Sequence, residues 1–181
     1  MENPNIIETS KKKMKKTLKA LLPLLERGFS IAALIFPLVE AIAYFGPKVF
    51  LNTESLALKN FYVSYIDKLG RFYTDNNLLI FIFMVWVFLL CSRRSSPFTK
   101  FVRFNVIQAI LLNIVYACAG VVFTFLPILL RESMLGLIIA NLLFFSMVLL
   151  SAYCTLVISS GRMPVIPVVS EAAKAQVQRS Y

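Results

Sequence analysis

The sequence predicts an all-α integral membrane protein with four transmembrane helices and both termini on the same, positively charged side. Three observations carry that expectation: composition, the number of long apolar runs, and the placement of basic residues. Of 181 residues, 59% are hydrophobic and 15% charged, and the mean hydropathy is +0.76. Such a chain has more apolar surface than one small water-soluble core can hide, so lipid must cover the rest. The net charge of +10 collects in short segments between the apolar runs, which suits anionic lipid headgroups and argues against nucleic acid as a partner.

Residues 1–27 form a basic, partly amphipathic segment. Met14, Leu18, Leu21, Leu22 and Leu25 recur at helical spacing opposite a lysine-rich face, with Thr9 or Ser10 as N-cap, and predict a helix lying on the membrane surface. Pro23 limits the regularity of its last turn. Met1 to Lys19 lack the apolar stretch of a secretory signal and the acid-poor, Arg/Ser-rich character of a transit peptide. The expectation is insertion from the compartment where the chain is made.

The membrane domain is expected over 28–160. Its first span, about 28–46, is interrupted by Pro37 and Glu40 and closed by Pro47. In the connection that follows, Leu58, Tyr62, Tyr65, Ile66, Leu69 and Tyr73 repeat with helical period and predict a second surface helix, its tyrosines at headgroup level, the alternative being a loop that packs on the bundle. The second span, about 76–93, has an apolar run of only Leu78 to Cys91, extended by Asp75, Asn76 and Asn77 at one end and Arg93 and Arg94 at the other; a helix needs roughly 20 residues to cross the hydrocarbon layer. The third span is about 104–130 and the fourth about 134–159. Only Arg131, Glu132 and Ser133 separate them, which predicts a tight antiparallel hairpin. Residues 161–181 read as a short polar tail.

Orientation follows from the basic residues, because positive flanks resist translocation. The N-terminal segment holds six lysines between Lys11 and Lys19 together with Arg27; the second connection holds Arg93, Arg94, Lys100 and Arg103; the tail holds Arg162, Lys174 and Arg179. The opposite side has Lys48, Lys59, Lys68, Arg71 and Arg131. No internal repeat is visible, which weighs against an inverted-repeat transporter.

Little in the sequence supports catalysis. Histidine is absent, and Cys91, Cys118 and Cys154 all sit inside apolar runs without metal-ligand spacing. No nucleophile can be paired with a base, so neither an enzyme nor a cofactor or metal centre is expected. Glu40 is the one carboxylate well inside a predicted span, and needs a partner, a wet cavity or protonation there unless it snorkels to the interface. Arg103, Asn105, Gln108 and, deeper, Asn113 begin the third span. Asn105, Gln108, Leu112 and Tyr116 share one helical face with Asn113 at its margin, so these amides turn toward protein and serve helix packing or a substrate path. Asn141, Ser146, Ser151 and Thr155 are milder versions in the fourth span, and Ala109, Ala117, Ala119 and Gly120 permit close helix approach.

Three stretches carry a resemblance. Phe36-Pro37-Leu38-Val39-Glu40 followed by Tyr44-Phe45-Gly46, the run Phe98 to Leu112 with Arg103-Phe104-Asn105 and Gln108, and the tail from Met163-Pro164-Val165-Ile166-Pro167 to Ala173 resemble the twenty-kilodalton membrane subunit family of Tic. That translocon imports proteins at the inner envelope of chloroplasts. The likeness runs from about Arg27 to about Gln178. It implies four spans with both termini in the stroma, and a role with other translocon subunits in moving preproteins. By position, the family's acidic residue of the first span falls on Glu40, and its arginine, asparagine and glutamine fall on Arg103, Asn105 and Gln108. The connection Leu51 to Tyr73, with Lys59, Asp67 and Lys68, is more polar than the family pattern. The lack of a transit peptide and the lysine- and isoleucine-rich composition are similar to the plastid-encoded algal branch; a cyanobacterial membrane is the alternative setting.

The leading functional expectation is thus a contribution to a protein-conducting path, with Glu40, Asn105 and Gln108 near its polar side. Helices packed about 8–10 Å apart fill a four-helix bundle with side chains, so further copies or larger partner subunits are needed. The alternatives are a scaffold subunit and, behind it, a small-solute transporter.

Overall fold

The computed structural model describes residues 21–93 and 95–178; most of the lysine-rich surface helix expected before Leu21 lies outside them, as do Arg94 and Arg179. Every regular element among the described residues is helical. Helix α1 (Leu21–Leu51) is broken at Ala33 and Leu34 and resumes from Ile35. The break has its cause in Pro37, which has no N–H to offer the Ala33 carbonyl and crowds the preceding turn; Phe36 instead donates to that carbonyl at 3.4 Å. Pro47, expected to close the span, stands inside the helix, which continues to Leu51.

Ser55 caps α2 (Leu56–Phe61) by accepting from the Leu58 N–H. A π-helical turn, Tyr62–Ile66, leads into α3 (Asp67–Asp75), and α4 (Asn77–Ser92) follows at a bend of 76°. Thr99 caps α5 (Lys100–Phe125). This helix stops earlier than its apolar sequence suggests because Pro127 forces Leu126 into extended geometry, ψ 143°. A short helix, α6 (Ile128–Glu132), precedes α7 (Met134–Ser159), capped by Ser133. Last comes α8 (Val169–Gln178).

Helices α1, α5 and α7 are long and apolar enough to cross a membrane. The sixteen residues of α4 reach only about 24 Å, short of the ~30 Å hydrocarbon core. Joined to α2 and α3, α4 makes a fourth, broken candidate.

Helix α1 is the central element, inserted between α5 and α7. Its contacts with α5 advance in the same direction, Leu34 beside Ala109 and Leu112 and Phe45 on the Phe123 ring at 5.6 Å. Those with α7 run oppositely, with Leu34 beside Cys154 and Phe50 on the Phe144 ring at 5.4 Å. The expected tight hairpin is therefore opened: α5 and α7 touch through Tyr116 and Ser146, whose hydroxyls lie 2.8 Å apart, but both pack chiefly on α1. The core they share is Ala41, Phe45, Phe123, Ala140, Phe144 and Met147.

Polar contacts tie the helix ends. Arg27 donates to the Ser159 carbonyl at 2.9 Å, placing a cation at the negative end of α7. Its guanidinium covers Gly161, whose φ of +79° favours glycine. At the other end Lys48 donates to Glu132 at 2.5 Å, and this hydrogen bond holds the Glu132 carboxyl below the usual carboxylate range.

The segment read as a polar tail folds back on the bundle. Pro164, Ile166 and Ser170 are buried, with the Ser170 hydroxyl accepting from the Ile166 N–H at 2.6 Å and donating to the Pro164 carbonyl at 3.3 Å. Helix α8 then lays Ala173 and Val177 on Val102, Val106 and Ile107 of α5.

Candidate functional site at the broken helix

The segment expected on the membrane surface packs along α1 instead. Tyr62 stacks on Phe50 at 4.9 Å between ring centroids and lies against Gly46; Gly70 lies against Ala43; and Tyr73 reaches Glu40. Eleven residues of one segment thus match ten of the other, the mark of an antiparallel pair lying side by side. Close approach depends on both glycines, since a Cβ at Gly46 would stand 3.1 Å from the Tyr62 ring and one at Gly70 3.6 Å from the Ala43 Cα.

This packing carries the chain from the Lys48 end of the bundle to the level of Glu40 before it bends. Glu40 is 3% exposed and therefore does not snorkel. The Tyr73 hydroxyl and the Asn113 amide are its polar neighbours, and the single phenolic hydrogen of Tyr73 is donated to Asn113 Oδ1 at 3.5 Å. Glu40 Oε2 has no hydrogen-bond partner among the described residues. Three elements, α1, α3 and α5, supply this cluster.

Beside it a half-open cleft of about 790 Å³ lies between α4 and α5. Glu40, Tyr44, Tyr73, Asn77 and Asn113 give it polar groups; Phe81, Met84 and Val85 of α4 face Ile110 and Ile114 of α5 as its apolar walls. Its cause is the bend at Asn76, which swings α4 out so that it meets α5 mainly near Cys91.

The candidate residues separate into two groups. Glu40 and Asn113 come together at the cleft. Arg103 lies ten residues before Asn113, about 15 Å along α5, where its buried Nε donates to the Cys91 carbonyl at 2.6 Å at the C-terminal end of α4. Asn105 donates to the Phe101 carbonyl at 2.9 Å, leaving its Oδ1 buried without a partner among the described residues. Gln108 is buried, and both of its amide atoms lack such partners. Neither amide lines the cleft.

Tyr73 and Asn77 were not singled out from sequence. Tyr73 belongs to a stripe that serves equally for a surface helix, and Asn77 looks like an interfacial flank of the second span. The signal was the shortness of the run Leu78 to Cys91: an apolar segment too short to span, preceded by Asp75, Asn76 and Asn77, also marks a discontinuous helix with polar groups at its break.

A bundle of long apolar helices, one candidate span broken beside a buried carboxylate, defines a helical membrane protein built around a polar notch. The family described as chloroplast import apparatus Tic20-like matches residues 27–173, and this chain belongs to that family. Similar relatives include the Tic20 family protein Ycf60 of Gracilaria tenuistipitata var. liui, 31% identical over 156 residues that cover 85% of this chain and 76% of the relative. The protein of the same name in Pyropia yezoensis is 32% identical over 143 residues, 78% and 70% of the two chains. That of Cyanidioschyzon merolae is 27% identical over 168 residues, 93% and 83%. These red algal relatives agree with the plastid-encoded algal branch, and the match starting at residue 27 leaves the lysine-rich segment outside the family region.

Proposed function

We propose that this chain is a membrane subunit of a plastid protein-import translocon and helps to form the path by which preproteins cross the inner envelope. The observation that carries the reading is the Glu40, Tyr73 and Asn113 cluster: hydrogen-bonding groups gathered near the midpoint of α5, beside a broken helix, in a chain of an import-apparatus family. Ionisable and amide groups at such depth are costly in lipid and mark substrate pathways.

In this reading the broken pair of helices counts as one span, giving four. Arg27, Arg93, Lys100, Arg103, Arg162 and Lys174 then mark the stromal side with both termini, while Lys48 and Arg131, offset by Glu54 and Glu132, lie across the membrane; Lys59, Asp67, Lys68 and Arg71 belong to the broken span itself. Because α1 fills the space between α5 and α7 with side chains, the path is shared with other translocon subunits or further copies. A scaffold role would suit amides satisfied entirely by neighbouring helices, and Gln108 is not. A solute transporter would suit a closed cavity, and this cleft is half-open.

The test is site-specific photocrosslinking from Glu40, Gln108 and Asn113 in envelope membranes holding a preprotein arrested during import. Adducts to the arrested chain from Glu40 and Asn113, absent from the lipid-facing control Leu149, are expected. Adducts to other subunits alone would leave the scaffold reading.

A further inference from the structure

The cleft between α4 and α5 has a length, a depth and a chemistry that together select one kind of occupant. Its α4 wall runs from Asn77 to Phe88, eleven helical steps or about 16 Å. An extended polypeptide advances about 3.4 Å per residue, so the wall matches about five residues of chain. Asn113 lies near the midpoint of α5, a helix of 26 residues and about 39 Å. Where α5 crosses the bilayer, the polar end of the cleft falls near the middle of a hydrocarbon core about 30 Å thick. A lipid headgroup would have to descend about 15 Å to meet it, and an acyl chain has no donor to bring. A helix of another subunit satisfies its own backbone. Extended polypeptide is what arrives with unpaired N–H and C=O groups, and the cleft is lined by the complement: Glu40, whose buried Oε2 lacks a partner among the described residues, and the Asn77 and Asn113 amides.

We infer that this lateral cleft is a seat for about five residues of extended polypeptide in transit, whose backbone N–H groups donate to Glu40 and whose side chains rest on the apolar walls of α4 and α5. This rests on the proposed import function and refines it, because it locates the contact surface on the flank of the subunit and leaves Gln108 off it. Recognition through the backbone is indifferent to sequence, as a path for many preproteins requires. Main-chain hydrogen bonding supplies attraction while the walls supply only modest preference for apolar residues.

The experiment places photoreactive residues at Phe81 and Ile114, which are 54% and 47% exposed within the cleft walls and tolerate replacement better than core positions. Gln108 and the α7 position Leu142, 69% exposed, serve for comparison. Import-competent envelope membranes are used with a preprotein arrested at successive lengths. Adducts to the arrested chain from both Phe81 and Ile114, scanning along the preprotein as arrest length changes and at least fivefold above Leu142, are expected. Preprotein adducts at Gln108 with none at Phe81 or Ile114 would overturn the cleft and leave the import function standing. Adducts from the two walls only to a second copy, another subunit or lipid would also overturn it, and an absence of preprotein adducts at all four positions would overturn the import function with it.

Discussion

Tyr73 donates a hydrogen bond to Asn113, 40 residues further along the chain, at 3.5 Å, and this contact holds the break between α3 and α4 level with the middle of α5. The same hydroxyl lies beside Glu40 on α1. Three helices therefore meet at one buried phenol oxygen, where a lost partner is expensive.

Tyr73→Phe removes that oxygen and keeps the ring. Leaving Glu40 and Asn113 buried with one donor fewer should cost about 1–3 kcal/mol, read as an earlier midpoint in SDS-induced unfolding of the protein in mixed micelles. Asn113→Leu should do the same, and the double variant should cost less than the two single losses combined, because the pair acts through one shared contact. Strict additivity would mean the hydroxyl and the amide do not interact.

How far this arrangement was legible in the sequence depends on what each segment's pattern can specify. Helices α1, α5 and α7 announce themselves by apolar length. The stripe from Leu58 to Tyr73 has a helical period, but a one-sided helix reads alike whether its partner is a headgroup layer or another helix, and Gly46 and Gly70, which admit it against α1, have meaning only once the two are paired. Glu40 and Arg103 stand out as charges in apolar runs, yet that Glu40 joins Asn113 while Arg103 grips the end of α4 depends on helix register that no local pattern encodes. In the tail, Ser170, Ala173 and Val177 do recur at helical spacing; their small size hides the stripe from a hydropathy reading.

Gly120 illustrates what close helix approach demands. A Cβ there would stand 2.4 Å from Cγ of the Tyr44 ring, so Gly120→Ala must push α1 and α5 apart or force Tyr44 from its rotamer. Overpacking of this kind costs about 1–3 kcal/mol. The expected result is a destabilised protein in the same SDS titration, with most of the loss recovered when Tyr44→Leu is added. Failure of the smaller side chain to rescue would place the strain elsewhere.

Arg103 holds the end of α4 by donating to the Cys91 carbonyl, and Cys91 beside it is fully buried. Arg103→Met should loosen that end while keeping the length of the side chain, and the free cysteines report it directly. In detergent-solubilised protein, N-ethylmaleimide should label the exposed Cys118 and spare Cys91 and Cys154. In the variant, Cys91 should label at least several times faster while Cys154, on α7, stays protected. Equal protection of Cys91 in both proteins would remove Arg103 from this role.

At the opposite end, Lys48 and Glu132 join α1 to the turn before α7, and the hydrogen bond from Lys48 lowers the Glu132 pKa. The sign of the resulting pH dependence is fixed: a carboxyl whose folded pKa lies below its unfolded value contributes stability above the unfolded pKa, and loses it as pH falls through the folded one. Glu132 is 58% exposed at its side chain, so the contribution is small and screened by salt. Lowering pH from neutrality should leave the pair intact until the ordinary carboxylate range is reached and weaken it progressively below that. Thermal unfolding of the wild-type chain and of Lys48→Met, measured from pH 7 to pH 3 at low and high salt, should show the two curves converging at the acid end and in high salt. A separation between them that persists at pH 3 would mean that Lys48 stabilises through the packing of its methylene stem and not through the Glu132 carboxylate.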